Sequence, residues 1–472
     1  MESNIEDFAD KAISHALDLK CRYCDVRAEI ITKEGLVIEN GQIEHTVSMF
    51  DRGLGIRVLN DGAWGFFSVS NPSSISEIIA ATDEAVSSAR YYTKKQKIRL
   101  ASVPTIKDKL VFPIHKELDI EELAKIGFDC DKIIHERKRI IKSSVSIGYS
   151  KTKKYFASSE GSKITQEYAD VVSELSATAH ESGLTQSVDS TEGGRGGIEK
   201  LSDEKDIFDT AKFVSEMSSN LIDAKPASEE KTTVVMNPDF VALLTHEILG
   251  HPSEADRVLG KEMAWAGGAW WAGNIGKQIG SQNLNVFDDP TISGSLGWYG
   301  YDDEGVKSSK TSLIENGVLV NHMQNRETAE IFNAKPSANM RATSYKFMPL
   351  IRMACTCIGK GDWNPQEMIR DVKSGYLVSN MKVPSIDMKR YNWSISCQFA
   401  QKIENGELTD LLRDVIVMGT APEFFKSIDA CGKDFTVRPI TNCGKGDPMQ
   451  SMIMGNGGPT IRAVATVKSV KS

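Results

Sequence analysis

Histidine is scarce in this chain, with eight among 472 residues, and cysteine is equally thin. Eight cysteines spread over such a length exclude a disulfide-held scaffold and predict reduced thiols. A surplus of positive charge is also missing: 56 Lys and Arg stand against 64 Asp and Glu, giving a net charge of -8 with no long basic cluster. Such a surface has no general attraction for a phosphate backbone, so nucleic acid is not expected as a primary partner. No apolar run is long enough to span a bilayer, and no membrane association is expected. The least polar stretch, Met263 to Gly276, is short and interrupted by glycines and Asn274. The first residues are acidic and lead into an amphipathic helix rather than a secretory signal, which predicts a cytoplasmic protein.

What is present predicts an α+β protein long enough to bury sizeable cores in two or three domains. Ile5, Phe8, Ala9, Ala12, Ile13, Ala16 and Leu17 form the stripe of a first helix. Strands follow at Asp25–Ile31, Leu36–Glu39 and Gln42–Met49, with a hairpin turn at Asn40-Gly41, and a second hairpin turns at Asn60-Asp61-Gly62. Helices are expected near Ser74–Tyr92, Ile120–Lys138 and Asp206–Ala224, a basic connector at Lys94–Lys109, and further strands at Ser144–Ser150 and Lys153–Ala157. The run Glu192-Gly193-Gly194-Arg195-Gly196-Gly197 reads as a floppy loop or as a flap that meets substrate. Lys225-Pro226-Ala227-Ser228-Glu229-Glu230 marks a boundary between an N-terminal α/β domain of mixed sheet and helices, residues 1–225, and a β-rich domain, residues 226–472.

In the second half, turns at Asn316-Gly317 and Glu404-Asn405-Gly406 predict hairpins, and a helix is expected near Asn364–Ser374. Trp265, Trp270 and Trp271 lie among glycines, where they either grip a ligand or pack beneath a loop. The lone Cys21-x-x-Cys24 pair has no second pair near it and reads as buried small side chains. Cys355 and Cys357 share one face of an expected strand and read as core. No fixed-period repeat is visible.

Chemistry concentrates at His246-Glu247-Ile248-Leu249-Gly250-His251, at the end of a helix that Asn237 caps and Pro238 opens. Phe240, Leu244 and Ile248 form its apolar stripe. By chance, H-E-x-x-x-H is expected roughly once in a hundred sequences of this composition, and two imidazoles beside a carboxylate read as a metal site. In the zinc-peptidase motif H-E-x-x-H the histidines lie four apart; here they lie five apart. On an undisturbed helix that spacing turns the second imidazole roughly 140° from the first. Gly250 in a left-handed conformation, followed by Pro252, is expected to unwind the helix and swing His251 back. Glu254 and Asp256 read as solvated acids, or as residues that orient a histidine.

A catalytic zinc takes a third protein ligand and keeps one position open for water. Both Cys443 and Cys431 stand in a Cys-Gly-Lys sequence, and spacing does not choose between them.

The order of several motifs over most of the chain resembles the TldD branch of the TldD/PmbA peptidase family, also called modulators of DNA gyrase. The motifs are Gly53-Leu54-Gly55-Ile56-Arg57-Val58, Trp64-Gly65-Phe66, the Gly193–Gly197 loop, His246 to His251, Asp302-Asp303-Glu304-Gly305, Leu313 to Leu319, Met340-Arg341-Ala342, Arg352-Met353, Cys443-Gly444-Lys445 and Gly458-Pro459-Thr460-Ile461-Arg462. The resemblance implies zinc held by His246, His251 and Cys443. It also implies an N-terminal α/β domain before a β-rich catalytic domain, and dimers enclosing a chamber for unfolded peptides. These would be a homodimer or a heterodimer with a PmbA-like subunit, in which this motif-bearing chain resembles the catalytic partner.

The function expected is therefore a zinc-dependent peptidase acting on unfolded or short peptides, with Glu247 as general base to a metal-activated water. One alternative makes Cys443 a thiolate nucleophile with a histidine base. Another makes the chain a non-catalytic, metal-stabilised peptide-binding or regulatory subunit.

Overall fold

The computed structural model describes residues 5–90, 97–117, 119–202, 206–261 and 267–470. Their arrangement is α+β. Long strands dominate the first half in a seven-stranded sheet: Ala63–Ser70, Gln42–Asn60, Tyr23–Glu39, Ile140–Ser158 and Lys163–Glu181 follow in that order. Lys107–Val111 and Leu184–Arg195 then share the far edge of Lys163–Glu181.

The strands are longer than the apolar pattern predicts. Asp25–Ile31 and Leu36–Glu39 belong to one strand of 17 residues, and Ser144–Ser150 and Lys153–Ala157 to one of 19. Thr32, Lys33 and Glu34 do not break the first, because Gln42–Asn60 and Ile140–Ser158 pair with it on both sides and satisfy its backbone regardless of side chain. Lys107–Val111, which begins inside the connector expected at Lys94–Lys109, runs parallel to Lys163–Glu167.

One face of this sheet carries two helix pairs. Ile5–Asp18 and Ile75–Arg90 cover Val26, Ala28, Ile56 and Val58, while Ile120–Ile134 and Ile207–Leu221 cover Leu36, Ile38, Val145 and Ile147. Asp119 caps the third helix at Glu122 N (2.8 Å) and Asp206 the fourth at Phe208 N (2.7 Å).

Because side chains alternate along a strand, the residues on either side of Val26 and Ala28 point the other way, and there the sequence is charged. Asp25, Arg27 and Glu29 are buried against the second half of the chain. Asp25 pairs with Arg57, which also reaches Glu304 at 3.2 Å; Tyr345 N donates to Glu29 at 2.8 Å, and Lys154 to Asp303 at 2.6 Å. Buried charges persist only when paired, so this seam fixes how the two halves meet. It also accounts for the Arg57 and Asp302-Asp303-Glu304 motifs.

The second half contains a six-stranded and an eight-stranded sheet. In the latter, Ser374–Ile386, Glu230–Met236, Ile461–Ser469, Val415–Thr420 and Asn392–Glu404 close into a ring, since Asn392–Glu404 pairs with both Val415–Thr420 and Ser374–Ile386. Helix Pro238–Thr245 packs on Ser374–Ile386 and on Gln450–Gly458 of the six-stranded sheet, burying Phe240, Val241 and Leu244. Thr436–Lys445 is the outermost strand of that six-stranded sheet. The hairpins at Asn316-Gly317 and Asn405-Gly406 are present, as are the buried Cys355 and Cys357. Cys21 and Cys24 are buried and free.

The glycine-rich run at 193–197 is neither floppy nor a flap. Glu192 to Arg195 end the strand Leu184–Arg195, with Glu192 and Arg195 buried. Gly194 is packed so closely that a side chain there would strike the carbonyl of Gly294. These glycines serve close backbone approach, which sequence alone does not distinguish from flexibility.

Candidate metal centre

Asn237 caps the motif helix through Phe240 N (3.0 Å), and Pro238 occupies its first turn. The helix then widens. His246–Gly250 is a π turn in which His251 N–H donates to His246 O, and His251–Ser253 continues as a tight 3₁₀ turn. An i→i+5 turn sets residue i+5 above residue i, so the five-residue spacing brings the two histidines together without unwinding. The imidazole centroids are 4.6 Å apart at 76°.

The expected left-handed Gly250 is therefore corrected: its φ is -69° and ψ -63°. Glycine suits the position for a different reason, because a Cβ here would meet the Met353 sulfur and that side chain would have to move. The widened turn, not a broken one, solves the spacing.

Cys443 arrives from the edge strand. The ladder between Thr436–Lys445 and Gln450–Gly458 shifts register between Ile440 and Cys443, and such a bulge re-aims a side chain. Arg352, fully buried, donates to the carbonyls of Cys443 and Gln450 and holds both strands. Cys443 Sγ lies 3.6 Å from His251 Nε2, and one ligand atom from each of His246, His251 and Cys443 lies within 4.8 Å of the others. Cys431 pairs into a different sheet and its thiol faces the Asn283 carbonyl.

The ring nitrogens facing away from this cluster are engaged. His246 Nδ1 meets Asn456 Oδ1 at 3.0 Å; since Asn456 Nδ2 donates to Thr356 O at 3.2 Å, the amide oxygen faces the ring and Nδ1 carries the proton. His251 Nδ1 meets Glu254 Oε2 at 3.2 Å. Glu254 is wholly buried and also receives Arg257 Nε at 2.6 Å and Lys445 Nζ at 3.2 Å, while Lys445 reaches Asp256 at 2.8 Å. The reading of Glu254 and Asp256 as solvated acids is thus corrected. Burial raises the Glu254 carboxyl, but Lys445, Arg257 and His251 outweigh it and hold it well below its usual range.

The electrostatics favour a thiolate. Burial alone would raise the Cys443 thiol, yet His246 and His251 bring it well below its ordinary value. Burial opposes a charged His246, while the Cys443 sulfur and Glu247 hold that imidazole up at about 9. A tetrahedral ion bound at about 2.0–2.1 Å to nitrogen and about 2.3 Å to sulfur sets those ligands about 3.6 Å apart, so the observed Sγ to Nε2 separation and the oriented imidazoles suit zinc.

These residues open on a cleft of about 580 Å³, lined on one side by Glu174, Asp189 and Thr191 of the N-terminal sheet and on the other by Met381, Arg390 and Pro439 to Gly444. Glu247 faces it beside His246. Burial raises its carboxyl, but His246, His251 and Arg390 bring it below its usual value. Arg390 Nη1 donates to Glu247 Oε2 at 2.5 Å. No pattern in the sequence marks Arg390, because it comes from a turn 143 positions away from Glu247.

Residues 229–467 match the family described as PmbA/TldA metallopeptidase C-terminal domain, with its domain 1 at residues 24–89 and its central domain at 114–222. The chain belongs to the PmbA/TldD family. A metalloprotease of Methanocaldococcus jannaschii is 34% identical over 453 residues, covering 94% of this chain and 96% of its own. A zinc metalloprotease TldD homolog of Saccharolobus solfataricus is 28% identical over 470 residues, covering 96% and 97%. Two solved structures share the fold: a Thermotoga maritima protein described as a candidate modulator of a DNA gyrase (TM-score 0.80, 18% identity, 98% of this chain and 99% of that one). The other is TldE from Thermococcus kodakarensis (TM-score 0.77, 16% identity, 98% and 100%). For this PmbA/TldD member, no helix among the described residues is long and apolar enough to cross a membrane.

The tryptophan segment of the family member braces the site. Trp271, fully buried, donates from Nε1 to Pro252 O at 2.7 Å and so supports the turn carrying His251. Trp270 N donates to Lys389 O at 2.9 Å, next to Arg390. Trp265 lies outside the described residues.

Proposed function

We propose that this chain is a zinc-dependent peptidase that hydrolyses unfolded or short peptides. His246, His251 and Cys443 hold the metal, and Glu247 is the general base. The carrying observation is the buried His-His-Cys cluster with Glu247 on the same cleft wall. Zinc bound there supplies a Lewis acid that polarises a carbonyl and makes water acidic enough to attack at neutral pH. Glu247 takes the water's proton and delivers it to the leaving amine. Asn456 and Glu254 fix the imidazole orientations. The outer edge of Thr436–Lys445 borders the cleft and suits an extended peptide added as a further strand, a mode that reads main chain rather than sequence.

We further propose two folding units, residues 1–225 and 226–472, a cytoplasmic location, and assembly as a homodimer or with a PmbA-like subunit. The metalloprotease relatives support the peptidase activity, and the TldE likeness supports the assembly.

The experiment is hydrolysis of unstructured peptides before and after chelation, then with zinc restored, alongside Glu247→Gln. Activity lost to the chelator and regained with zinc, and a variant that keeps zinc but falls by about 10²- to 10⁴-fold in kcat, are expected. A second reading rests on the 3.6 Å Cys443–His251 contact, which also suits a thiolate nucleophile with a histidine base. Activity indifferent to chelation would favour it.

A further inference from the structure

The turn carrying Arg390 is held by the Asp387 carboxylate from inside and by Trp270 from outside. The Asp387 carboxylate accepts from Lys389 N at 3.0 Å, Tyr391 N at 2.9 Å and Asn392 N at 2.8 Å, and Arg390 N donates to Asp387 O at 3.0 Å. Trp270 holds the turn from outside through Lys389 O and sets its ring edge-on to Tyr391 at 6.1 Å. Arg390 itself has φ +60°, a left-handed conformation uncommon for an arginine. The guanidinium is thereby delivered into the cleft that His246, Glu247, His251 and Cys443 line. Nη1 binds Glu247, while Nε is buried with no partner among the described residues.

A base that only needed a counter-charge would be served by one donor. Arg390 offers a planar fork of five donors, of which one is spent on Glu247 while the guanidinium head borders the cleft. We propose that Arg390 is a catalytic residue of the peptidase reaction described above, donating a hydrogen bond to the scissile carbonyl oxygen as that oxygen gains negative charge. The inference rests on that reading and adds a residue to it.

The charge movement fits. As the water oxygen bonds to the carbonyl carbon, the C=O electron pair moves onto oxygen and one water proton goes to Glu247. Negative charge thus leaves the group that Arg390 holds at rest and appears on the carbonyl oxygen. When the pair returns, the C–N bond breaks and the nitrogen takes the proton from Glu247, giving an acid and an amine. A donor already in place and released by Glu247 at that moment stabilises the transition state more than the bound peptide.

The test uses zinc-loaded wild-type, Arg390→Gln and Arg390→Lys proteins, with zinc content and melting temperature recorded for each. Three quantities are read: steady-state hydrolysis, the calorimetric affinity of a phosphinic peptide whose tetrahedral anion mimics the charged carbonyl, and the affinity of an ordinary peptide in the Glu247→Gln background with and without Arg390→Gln. Arg390→Gln is expected to lower kcat by about 100-fold with KM within a few-fold, and to weaken the phosphinic peptide in parallel. The ordinary peptide should bind as before, and Arg390→Lys should recover part of the loss. Full kcat in Arg390→Gln overturns the proposal and leaves the peptidase reading intact. A kcat loss with undiminished phosphinic affinity also overturns it, assigning Arg390 to positioning Glu247. A wild-type protein that neither cleaves peptides nor binds the phosphinic analogue overturns both.

Discussion

Cys443 Sγ stands 3.6 Å from His251 Nε2 across 192 positions of sequence. One side of that contact comes from a helix end, the other from a bulged edge strand, and their relative placement is fixed by a buried ammonium. Lys445, two residues beyond Cys443, spans from Ile351 O (2.7 Å) to Asp256 and Glu254, and Glu254 in turn holds His251.

Cys443→Ser is expected to lower zinc affinity by more than about 100-fold, whereas Cys431→Ser should bind as the parent does. Metal content after dialysis against a zinc buffer distinguishes the two. Equal zinc in both variants would remove Cys443 from the ligand set.

Lys445→Met takes away one cation from two buried carboxylates while keeping the volume of the side chain. Breaking such a pair from one side costs about 3–5 kcal/mol, because the partners remain buried. A denaturant titration should show that loss, with zinc affinity down by about 10- to 100-fold through the loosened His251. A variant of parental stability would refute the bracing role.

Gly250→Ala should destabilise by about 1–3 kcal/mol and weaken zinc binding, since the added methyl meets the Met353 sulfur and forces the π turn apart. Adding Met353→Ala should recover zinc affinity in part. If the glycine were needed for a left-handed backbone, no change at Met353 would help; the recovery is therefore the informative measurement.

His322 supplies a pH dependence away from the metal. Both its ring nitrogens are buried without partners among the described residues, and burial lowers its pKa to about 4. The unfolded chain takes up a proton near pH 6.5 that the folded protein refuses, so this group's contribution is full above that value and is lost as pH falls toward 4, to about 3 kcal/mol. Comparing metal-free parent with His322→Phe by urea unfolding at pH 7.5 and 4.5 should show the parent losing more. Equal losses would mean that His322 is protonated in the fold.

Much of the architecture is written locally. Helix caps at Asn237, Asp206 and Asn364, the hairpin glycines at 317 and 406, and the apolar stripe of Ile5–Asp18 act over a few residues, so periodicity and turn chemistry reveal them. The sequence by itself also singled out His246, Glu247 and His251, because one turn of backbone carries all three. It left Cys443 and Cys431 equivalent on spacing and Glu254 open between a solvated acid and a residue that orients a histidine, and it misread Gly250 and the 193–197 run.

Tertiary structure decided those points for one physical reason. Whether a glycine bends the chain or admits a neighbour depends on what lies opposite, here Met353 and the Gly294 carbonyl. Whether an acid is solvated depends on which cations are brought to it, here Lys445 and Arg257. Arg390 reaches Glu247 only through the turn between Ser374–Ile386 and Asn392–Glu404, and Cys443 reaches His251 only through the edge of a sheet assembled from distant strands. Local sequence set the groups that can do chemistry; packing between remote segments chose which of them share a cleft.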